Sequence, residues 1–230
     1  MTNRSVASVL SCLSVVMVAT AAPWPARADA STAGWRNDAP VAVRELRDRG
    51  ESFSSIARWL RDPNGRIAGF WLSDGTVLEA SATSANAAVE HMRVGDRVHL
   101  RYGPAATLAI EDLDNASRVD IGPLTLARGG GPNSTDGSAV PDPSYRGLVV
   151  RTESAPLRQV GFDLGGRPRA LLLQSGVQVT LPPRVADVAR GIPIGTPLVV
   201  QGYAAPRNGD SIAATRIERA DGQSVMDLAH

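Results

Sequence analysis

A pattern of strands and glycine turns occurs twice in this chain, 101 residues apart. Residues 65–78 align with residues 166–179 without a gap, and both segments place glycines around an apolar run. The identical pairs are Gly65 and Gly166, Arg66 and Arg167, Leu72 and Leu173, and Gly75 and Gly176. Further along, residues 94–100 align with residues 194–200 at an offset of 100. Because a pattern that recurs at a fixed spacing is typical of a repeated structural unit, the sequence predicts two copies of one fold in tandem.

Each copy is predicted to contain three strands, a short helix and two more strands. The turns around Gly75 and Gly176 separate apolar runs, and glycine there permits the positive φ of a tight hairpin. Helices are predicted at residues 84–92 and 184–190, where apolar residues recur at helical spacing. Their predicted buried faces are Ala88, Val89 and Met92 in the first helix, and Val185, Val188 and Ala189 in the second. This order of elements is that of an OB-type five-stranded barrel.

The second copy resembles small bacterial OB-fold domains in the order of its turns and strands. Its motifs are Val179-Thr180-Leu181-Pro182-Pro183, Ile194-Gly195 and Val199-Val200-Gln201-Gly202. The first copy keeps Asp74-Gly75-Thr76 and Val94-Gly95-Asp96 but has Ser81-Ala82 in place of the two prolines. The resemblance implies a mainly β chain of two OB-like five-stranded small barrels, each with a short helix, joined by a flexible linker. It also implies a binding fold, often for nucleic acid or carbohydrate, and leaves the function open.

Composition sets the expected boundaries of the domains. The predicted segments are a signal peptide (1–30), a polar lead-in (31–50), a first OB-like domain (51–122), a linker (123–144), a second OB-like domain (145–220) and a tail (221–230). The lead-in is expected to contain a helical turn near Val43. The linker is rich in Gly, Pro and Ser and has too little apolar surface to offset the entropy of ordering it.

Residues 1–30 have the features of a secretory signal peptide. Arg4 precedes a mostly apolar stretch, and Ala28-Asp29-Ala30 fits a small-residue cleavage site. A membrane-spanning helix needs about 20 consecutive apolar residues, so an uncleaved anchor is disfavoured. Lipid attachment at Cys12, the only cysteine, is disfavoured because apolar sequence continues beyond it. The sequence therefore predicts a periplasmic or secreted protein with no transmembrane segment after cleavage.

The mature chain is expected to be electrically balanced. The full chain has 24 basic residues, all of them arginine, and 23 acidic residues, which gives a formal net charge of +1. Cleavage after Ala30 removes Arg4, Arg27 and Asp29 and leaves a net charge of zero. A neutral protein lacks the field that steers a chain onto nucleic acid or anionic lipid, so nucleic acid is not favoured as a partner.

The first copy carries the aromatic and cationic side chains best suited to ligand binding. OB barrels that bind single strands place stacking aromatic rings among cations along a groove. The candidate binding residues are Trp59, Arg61, Arg66, Trp71, Arg97, Arg101 and Tyr102. Because neighbouring strand residues point to opposite faces, one of Phe70 and Trp71 is expected in the core and the other at the surface.

The sequence shows no pattern that predicts catalytic residues, a cofactor or a metal site. It has no G-x-S-x-G elbow, and Gly129-Gly130-Gly131 is not followed by the Lys and Ser/Thr of a phosphate loop. His91 and His99 lack metal-ligand spacing, and His230 is the last residue.

The sequence leaves three functions open. The leading one is an exported, non-catalytic module of the cell envelope that binds an unknown protein, envelope component or small ligand. The alternative is a single-stranded nucleic-acid binding protein of the OB type, whose affinity would fall steeply with salt. The third is an enzyme with an unrecognised carboxylate site. Glu111, Asp112 and Asp114 form the obvious acidic cluster, but these are expected to flank the last strand of the first barrel as solvated charges.

Overall fold

The computed structural model describes residues 40–102, 107–121, 146–183, 186–207 and 209–228. The predicted signal peptide with Cys12, the predicted linker and His230 lie outside these residues. Within them the chain is mainly β. No helix in the described ranges is long and apolar enough to cross a membrane.

The described residues between 40 and 121, called the N-terminal part, form a six-stranded antiparallel sheet with two helices. The elements are α1 (Val41–Arg49), β1 (Glu51–Arg61), β2 (Ile67–Leu72), β3 (Val77–Glu79), α2 (Ala82–His91), β4 (Arg97–Tyr102), β5 (Leu108–Asp112) and β6 (Arg118–Ile121). The strands lie in the order β3-β2-β1-β4-β5-β6. The first half of β1 pairs with β4 and its second half pairs with β2, with a bulge after Ile56.

Residues 146–228, called the C-terminal part, contain a closed barrel of five strands. The elements are β7 (Val149–Phe162), β8 (Pro168–Leu173), β9 (Gln178–Thr180), a 3-10 helix (Ala186–Gly191), β10 (Pro197–Ala204), β11 (Ser211–Arg219) and β12 (Ser224–Asp227). The sheet runs β10-β7-β8-β9-β11-β12, and a further pairing of β10 with β11 closes the ring. The pairing of β9 with β11 is parallel, whereas the other pairings of this sheet are antiparallel.

Each part contains the predicted three strands, helical segment and two strands, followed by one more strand. The additional strands are β6 and β12, and β12 lies within the segment that was expected to be a tail. The expected helical turn near Val43 is a full helix, α1. Its apolar residues Ala42, Val43 and Leu46 recur at helical spacing and are buried, so packing on the sheet stabilises the whole segment.

The helical segments of the two parts differ in type. The predicted inward residues of the first helical segment are buried or half-buried. Ala88 of α2 and Met92, which directly follows α2, are buried, and Val89 is half-buried. The second segment is a 3-10 helix, in which residues three apart share a face. Ala186 and Ala189 are therefore buried and Val188 is 50% exposed, so the prediction that Val188 faces inward is wrong. Val185 lies outside the described residues.

The turns that close the two equivalent hairpins are built in the same way. The backbone N–H of Gly75 donates to the Leu72 carbonyl at 3.0 Å, and that of Gly176 donates to the Leu173 carbonyl at 3.0 Å. Gly75 has a φ of +95° and Gly176 a φ of +90°, which glycine adopts without strain. The glycines that the sequence places in these turns are thus required by their backbone conformation.

The buried apolar residues form three clusters. One lies in the N-terminal part and includes Phe70, and a second lies in the C-terminal barrel and includes Leu171. The third lies between the parts and consists of Leu60, Trp71, Val77, Ala170 and Leu172. Alternation along β2 and β8 explains this division, because one face of each strand packs on its own core and the other face packs on the opposite part.

Polar contacts at the same interface pair backbone groups that would otherwise be buried without partners. The Gln178 amide donates to the Trp59 carbonyl at 2.8 Å and accepts from the Arg61 N–H at 3.0 Å. The Phe162 N–H donates to the Gly75 carbonyl at 2.9 Å. Such contacts fix the relative register of the two parts, since an unpaired buried backbone group is costly.

Gly161 of the C-terminal part lies directly against Val77 and Trp71 of the N-terminal part, and we predict that Gly161→Ala destabilises the protein. A Cβ there would lie 2.5 Å from Val77 Cγ2 and 2.9 Å from the Trp71 ring. Overpacking of this kind costs about 1–3 kcal/mol. The measurement is urea unfolding beside Gly191→Ala, a position with open space and no positive φ. Equal midpoints for the two variants would contradict the packing described for Gly161.

Candidate functional site

The seven residues that the sequence singled out do not form one site. Trp71 is completely buried in the cluster between the parts, as Phe70 is in the core of the N-terminal part. The expectation that one of these two rings is at the surface is therefore wrong. Its physical reason is that Ala170 and Leu172 of β8 cover the face of β2 that alternation assigns to solvent.

Three more of the seven have structural contacts in the N-terminal part. Trp59 packs on Phe70 with ring centroids 5.4 Å apart, and Tyr102 packs on the same core. Burial raises the pKa of the Tyr102 phenol, with Arg47 acting in the opposite direction. The Arg61 guanidinium donates to the Gly65 carbonyl at 2.7 Å and so braces the turn between β1 and β2.

The remaining three are exposed, and two of them share a surface. Arg66 lies in the turn between β1 and β2, where its backbone N–H donates to Asp62 at 2.8 Å. Arg97 and Arg101 lie on the outer side of β4, two residues to either side of His99. In the sheet register His99 lies opposite Phe53 of β1 and opposite Glu111 of β5. The structure thus brings these arginines together with an aromatic ring that the sequence analysis did not select.

We call this surface the Phe53 face, on the outer side of β1, β4, β5 and β6 and the turn that follows β5. Its residues are Glu51, Phe53, Arg97, His99, Arg101, Glu111, Asp114, Arg118 and Asp120. The three arginines and four carboxylates give this surface a net charge of −1 when His99 is neutral. The surface is therefore mixed in sign and has no excess of cations.

The centre of the Phe53 face is a stacked pair of rings. The Phe53 and His99 centroids are 4.5 Å apart and the ring planes are within 8° of parallel. His99 Nε2 lies 3.0 Å from Glu51 Oε2, and His99 Nδ1 lies 3.5 Å from Glu111 Oε2. The two carboxylates thus flank the imidazole on which Phe53 stacks. Phe53 itself remains 61% exposed, so its outer face is open to solvent.

The cations around the rings are paired with carboxylates. Arg97 lies 2.7 Å from Asp114, and this hydrogen bond raises the pKa of Arg97 and lowers the pKa of Asp114. Arg101 and Arg118 both contact Glu111, at 3.3 and 3.4 Å. Arg118 also lies 3.0 Å from Asp120. Because each of these arginines has an acidic neighbour, phosphate would have to compete with a carboxylate for it.

Asp112 is the member of the acidic cluster that departs from expectation. It is 1% exposed rather than solvated, and burial disfavours its charged form. Hydrogen bonds from the backbone N–H of Asp114 at 2.8 Å, and from the backbone N–H and Nδ2 of Asn115 at 3.2 and 2.9 Å, favour that form. Together they hold the pKa of Asp112 below its ordinary value of 3.8. The carboxylate thus shapes the turn between β5 and β6.

The described residues contain no group of three or more His, Cys, Asp or Glu side chains that could hold a metal ion. His91 is exposed at the end of α2, and His99 has the two glutamates as its acidic neighbours. His230 lies outside the described residues.

A shallow groove lies between the 3-10 helix and the hairpin of β11 and β12. Its volume is about 310 Å³, and it is lined by Val188, Gly191, Ile192, Arg219, Gln223, Ser224 and Val225. Arg219, its charged lining residue, donates to Gln223 at 3.2 Å. The groove is open to solvent, whereas sites for small molecules bury most of the ligand's surface.

Asp112→Asn is predicted to destabilise the protein by about 1–3 kcal/mol at neutral pH, because an amide group replaces a buried oxygen that accepts hydrogen bonds. The folded-state pKa of Asp112 is lowered, so its stabilisation is present above pH 3.8 and is lost as the pH falls through the folded pKa. The difference between wild type and variant in urea unfolding should therefore shrink below pH 3.8.

The control is Asp120→Asn, which changes an exposed carboxylate of the same hairpin. It should leave the unfolding midpoint unchanged within error, since exposed ion pairs contribute little. A constant effect of Asp112→Asn down to strongly acidic pH would contradict the role assigned to the buried carboxylate.

The Phe53 face is the candidate functional site of the described residues, because it combines an open aromatic ring with an ordered surround of charges. Sequence reasoning identified Arg97 and Arg101 but missed Phe53 and His99. The sequence did contain a signal for this surface. Glu51 and Phe53 are two residues apart in β1, and Arg97, His99 and Arg101 are each two residues apart in β4, so each set lies on one side of its strand. The chain matches no protein-family model, no curated protein and no solved structure.

Proposed function

We propose that the chain is an exported, non-catalytic binding module of the cell envelope, built from two OB-like barrels, and that the Phe53 face binds its partner. The strand orders support the paired barrels. The C-terminal ring runs β9-β8-β7-β10-β11, and the N-terminal sheet runs β3-β2-β1-β4-β5, so corresponding strands have the same neighbours. The parts differ in that β9 pairs with β11, whereas no pairing of β3 with β5 occurs among the described residues.

The turns support a common origin of the two barrels. Beyond the hairpins of Gly75 and Gly176, the N–H groups of Gly95 and Gly195 donate to Ile56 and Leu157, at 2.8 and 2.7 Å. Bulges also interrupt the first strand of each part at equivalent positions. Duplication of one barrel accounts for these matches together.

The observation that carries the binding proposal is the exposure of Phe53. An aromatic ring that is open to solvent and surrounded by ordered charges has the composition of an interaction hot spot. The ring lies on the open side of a sheet, whereas sites for small molecules are concave. A protein or another envelope polymer therefore fits the Phe53 face better than a small ligand does.

The Phe53 face argues against the single-stranded nucleic-acid alternative. Trp71, the strongest stacking candidate, is buried between the parts. The arginines of the face have acidic neighbours, and the face carries more carboxylates than arginines. Backbone phosphates would be attracted weakly to such a surface, because the electrostatic contribution to their binding comes from unneutralised cations.

The described residues give little support to the third function, an enzyme with a carboxylate site. The Glu111 carboxylate lies within ion-pair distance of Arg101, Arg118 and His99. The buried oxygens of Asp112 accept hydrogen bonds from Asp114 and Asn115 in the turn that follows β5.

We predict that a photoreactive phenylalanine analogue at position 53 crosslinks a discrete partner in the cells that produce the protein. The matched control places the same analogue at position 154, where exposed Ser154 occupies the equivalent register position of β7. Illumination followed by mass analysis should yield a specific adduct at position 53 and none at position 154. Equal adducts at both positions, or none at either, would contradict the proposal.

The nucleic-acid alternative is tested on purified residues 31–230 with labelled single-stranded DNA and RNA at two salt concentrations. We expect no binding at low salt. Binding that weakens with salt and is lost in both Phe53→Ala and Arg101→Ala would establish the alternative, because those variants change the ring and one cation of the same surface.

A further inference from the structure

At the interface between the two parts, equivalent residues of each part lie against the equivalent hairpin turn of the other part. Arg58 of the N-terminal part donates to the Gly176 carbonyl in the hairpin turn of the C-terminal part, at 3.0 Å. The position equivalent to Arg58 is Gln159, at the offset of 101 residues. Its side chain lies against the equivalent hairpin turn, because a Cβ on Gly75 would be 3.1 Å from Gln159 Nε2.

A second contact is reciprocal in the same way. Gln178 of β9 bonds to the backbone on both sides of Leu60. The positions equivalent to Gln178 and Leu60 are Val77 and Gly161. Val77 lies against Gly161, where a Cβ would be 2.5 Å from Val77 Cγ2.

Two further pairs of equivalent positions both lie at the interface. Trp71 and Leu172 are equivalent positions, and both belong to the apolar cluster between the parts. Pro63 and Leu164 are also equivalent, and each lies in a turn that contacts the opposite part. The Pro63 carbonyl accepts from the Ala205 N–H at 2.9 Å, and Leu164 packs on the core of the N-terminal part.

We infer that the two parts meet through an isologous interface, in which one face of the fold docks on the equivalent face of its duplicate about an approximate two-fold axis. Reciprocity of contacts is the defining property of such an interface, and it is the interface of two-fold homodimers. The face formed by β1, β2 and β3 is thus an interaction surface whose partner is the corresponding face of β7, β8 and β9. The chain is the covalent equivalent of a homodimer of barrels.

This inference is independent of the function proposed for the Phe53 face, but it has a consequence for that face. The positions equivalent to Phe53 and His99 are Ser154 and Val199, which lie opposite each other in the register of β7 and β10. The two parts have therefore kept a shared docking face and diverged on the outer face. A symmetric homodimer would carry two copies of the aromatic surface, whereas this chain carries one.

The inference is tested by placing a protease site within residues 123–144 of the otherwise intact chain and cleaving the folded protein. Since the interface holds the parts together without the connection, both pieces should elute together at the mass of the uncut protein. Separation of the cleaved pieces without denaturant would overturn the inference.

Variants of the cleaved protein test reciprocity. Arg58→Ala and Gln159→Ala remove equivalent side chains from opposite sides of the interface, and each should raise the dissociation constant of the pieces. For Arg58 the expected rise is about tenfold, the equivalent of one charged hydrogen bond. Ser154→Ala, on the outer face of the same barrel as Gln159, should have no effect. An effect of one interface variant without the other would overturn the two-fold relation.

A charge placed in the apolar cluster between the parts tests the interface independently. Leu172→Asp should separate the cleaved pieces, and circular dichroism of the uncut variant shows whether its strands persist. Ser154→Asp adds the same charge at an exposed position of the same barrel and should leave the pieces associated. Association that survives Leu172→Asp would overturn the inference.

Discussion

The burial of Trp71 between two β structures is the constraint on which the rest of this protein depends. A strand that packs on both faces must find two apolar partners, and β2 finds one in its own core and the other in the face of β8. Gly161 allows the close approach because it has no Cβ where the Trp71 ring and Val77 lie. The Gln178 amide then satisfies the backbone around Leu60, which the contact would otherwise remove from water. Packing and hydrogen bonding thus select one arrangement of the two parts.

Local features of the fold were predictable because they depend on neighbours in sequence. The hairpin glycines have the positive φ that their turns require, and Ala88 and Met92 face inward as helical spacing indicates. Features that depend on partners distant in sequence were not predictable. Alternation correctly separated Phe70 from Trp71, but it could not show that the second face of β2 is also covered. Val188 was misplaced because spacing alone does not distinguish a 3-10 turn from an α-helical one.

The candidate site was predicted in part for the same reason. Arg97 and Arg101 were selected because they are cations close to aromatic residues in the first copy, and they do share an exposed face. The role of Phe53 depends on strand pairing, because it is the register of β1 with β4 that stacks its ring on His99. The carboxylates beside His99 come from two further points of the sequence, Glu51 and Glu111. The N-terminal part thus presents the surface, and β8 of the C-terminal part covers the opposite side of β2.

The central claim is that the two parts form one structure through contacts that persist in solution, and amide hydrogen exchange measured by NMR tests it most directly. The N–H groups of Arg61 and Phe162 donate across the interface, while those of Leu72 and Leu173 donate within their own parts. A single structure predicts that all four N–H groups exchange slowly and to a similar degree. Rapid exchange at Arg61 and Phe162, with Leu72 and Leu173 still protected, would contradict it.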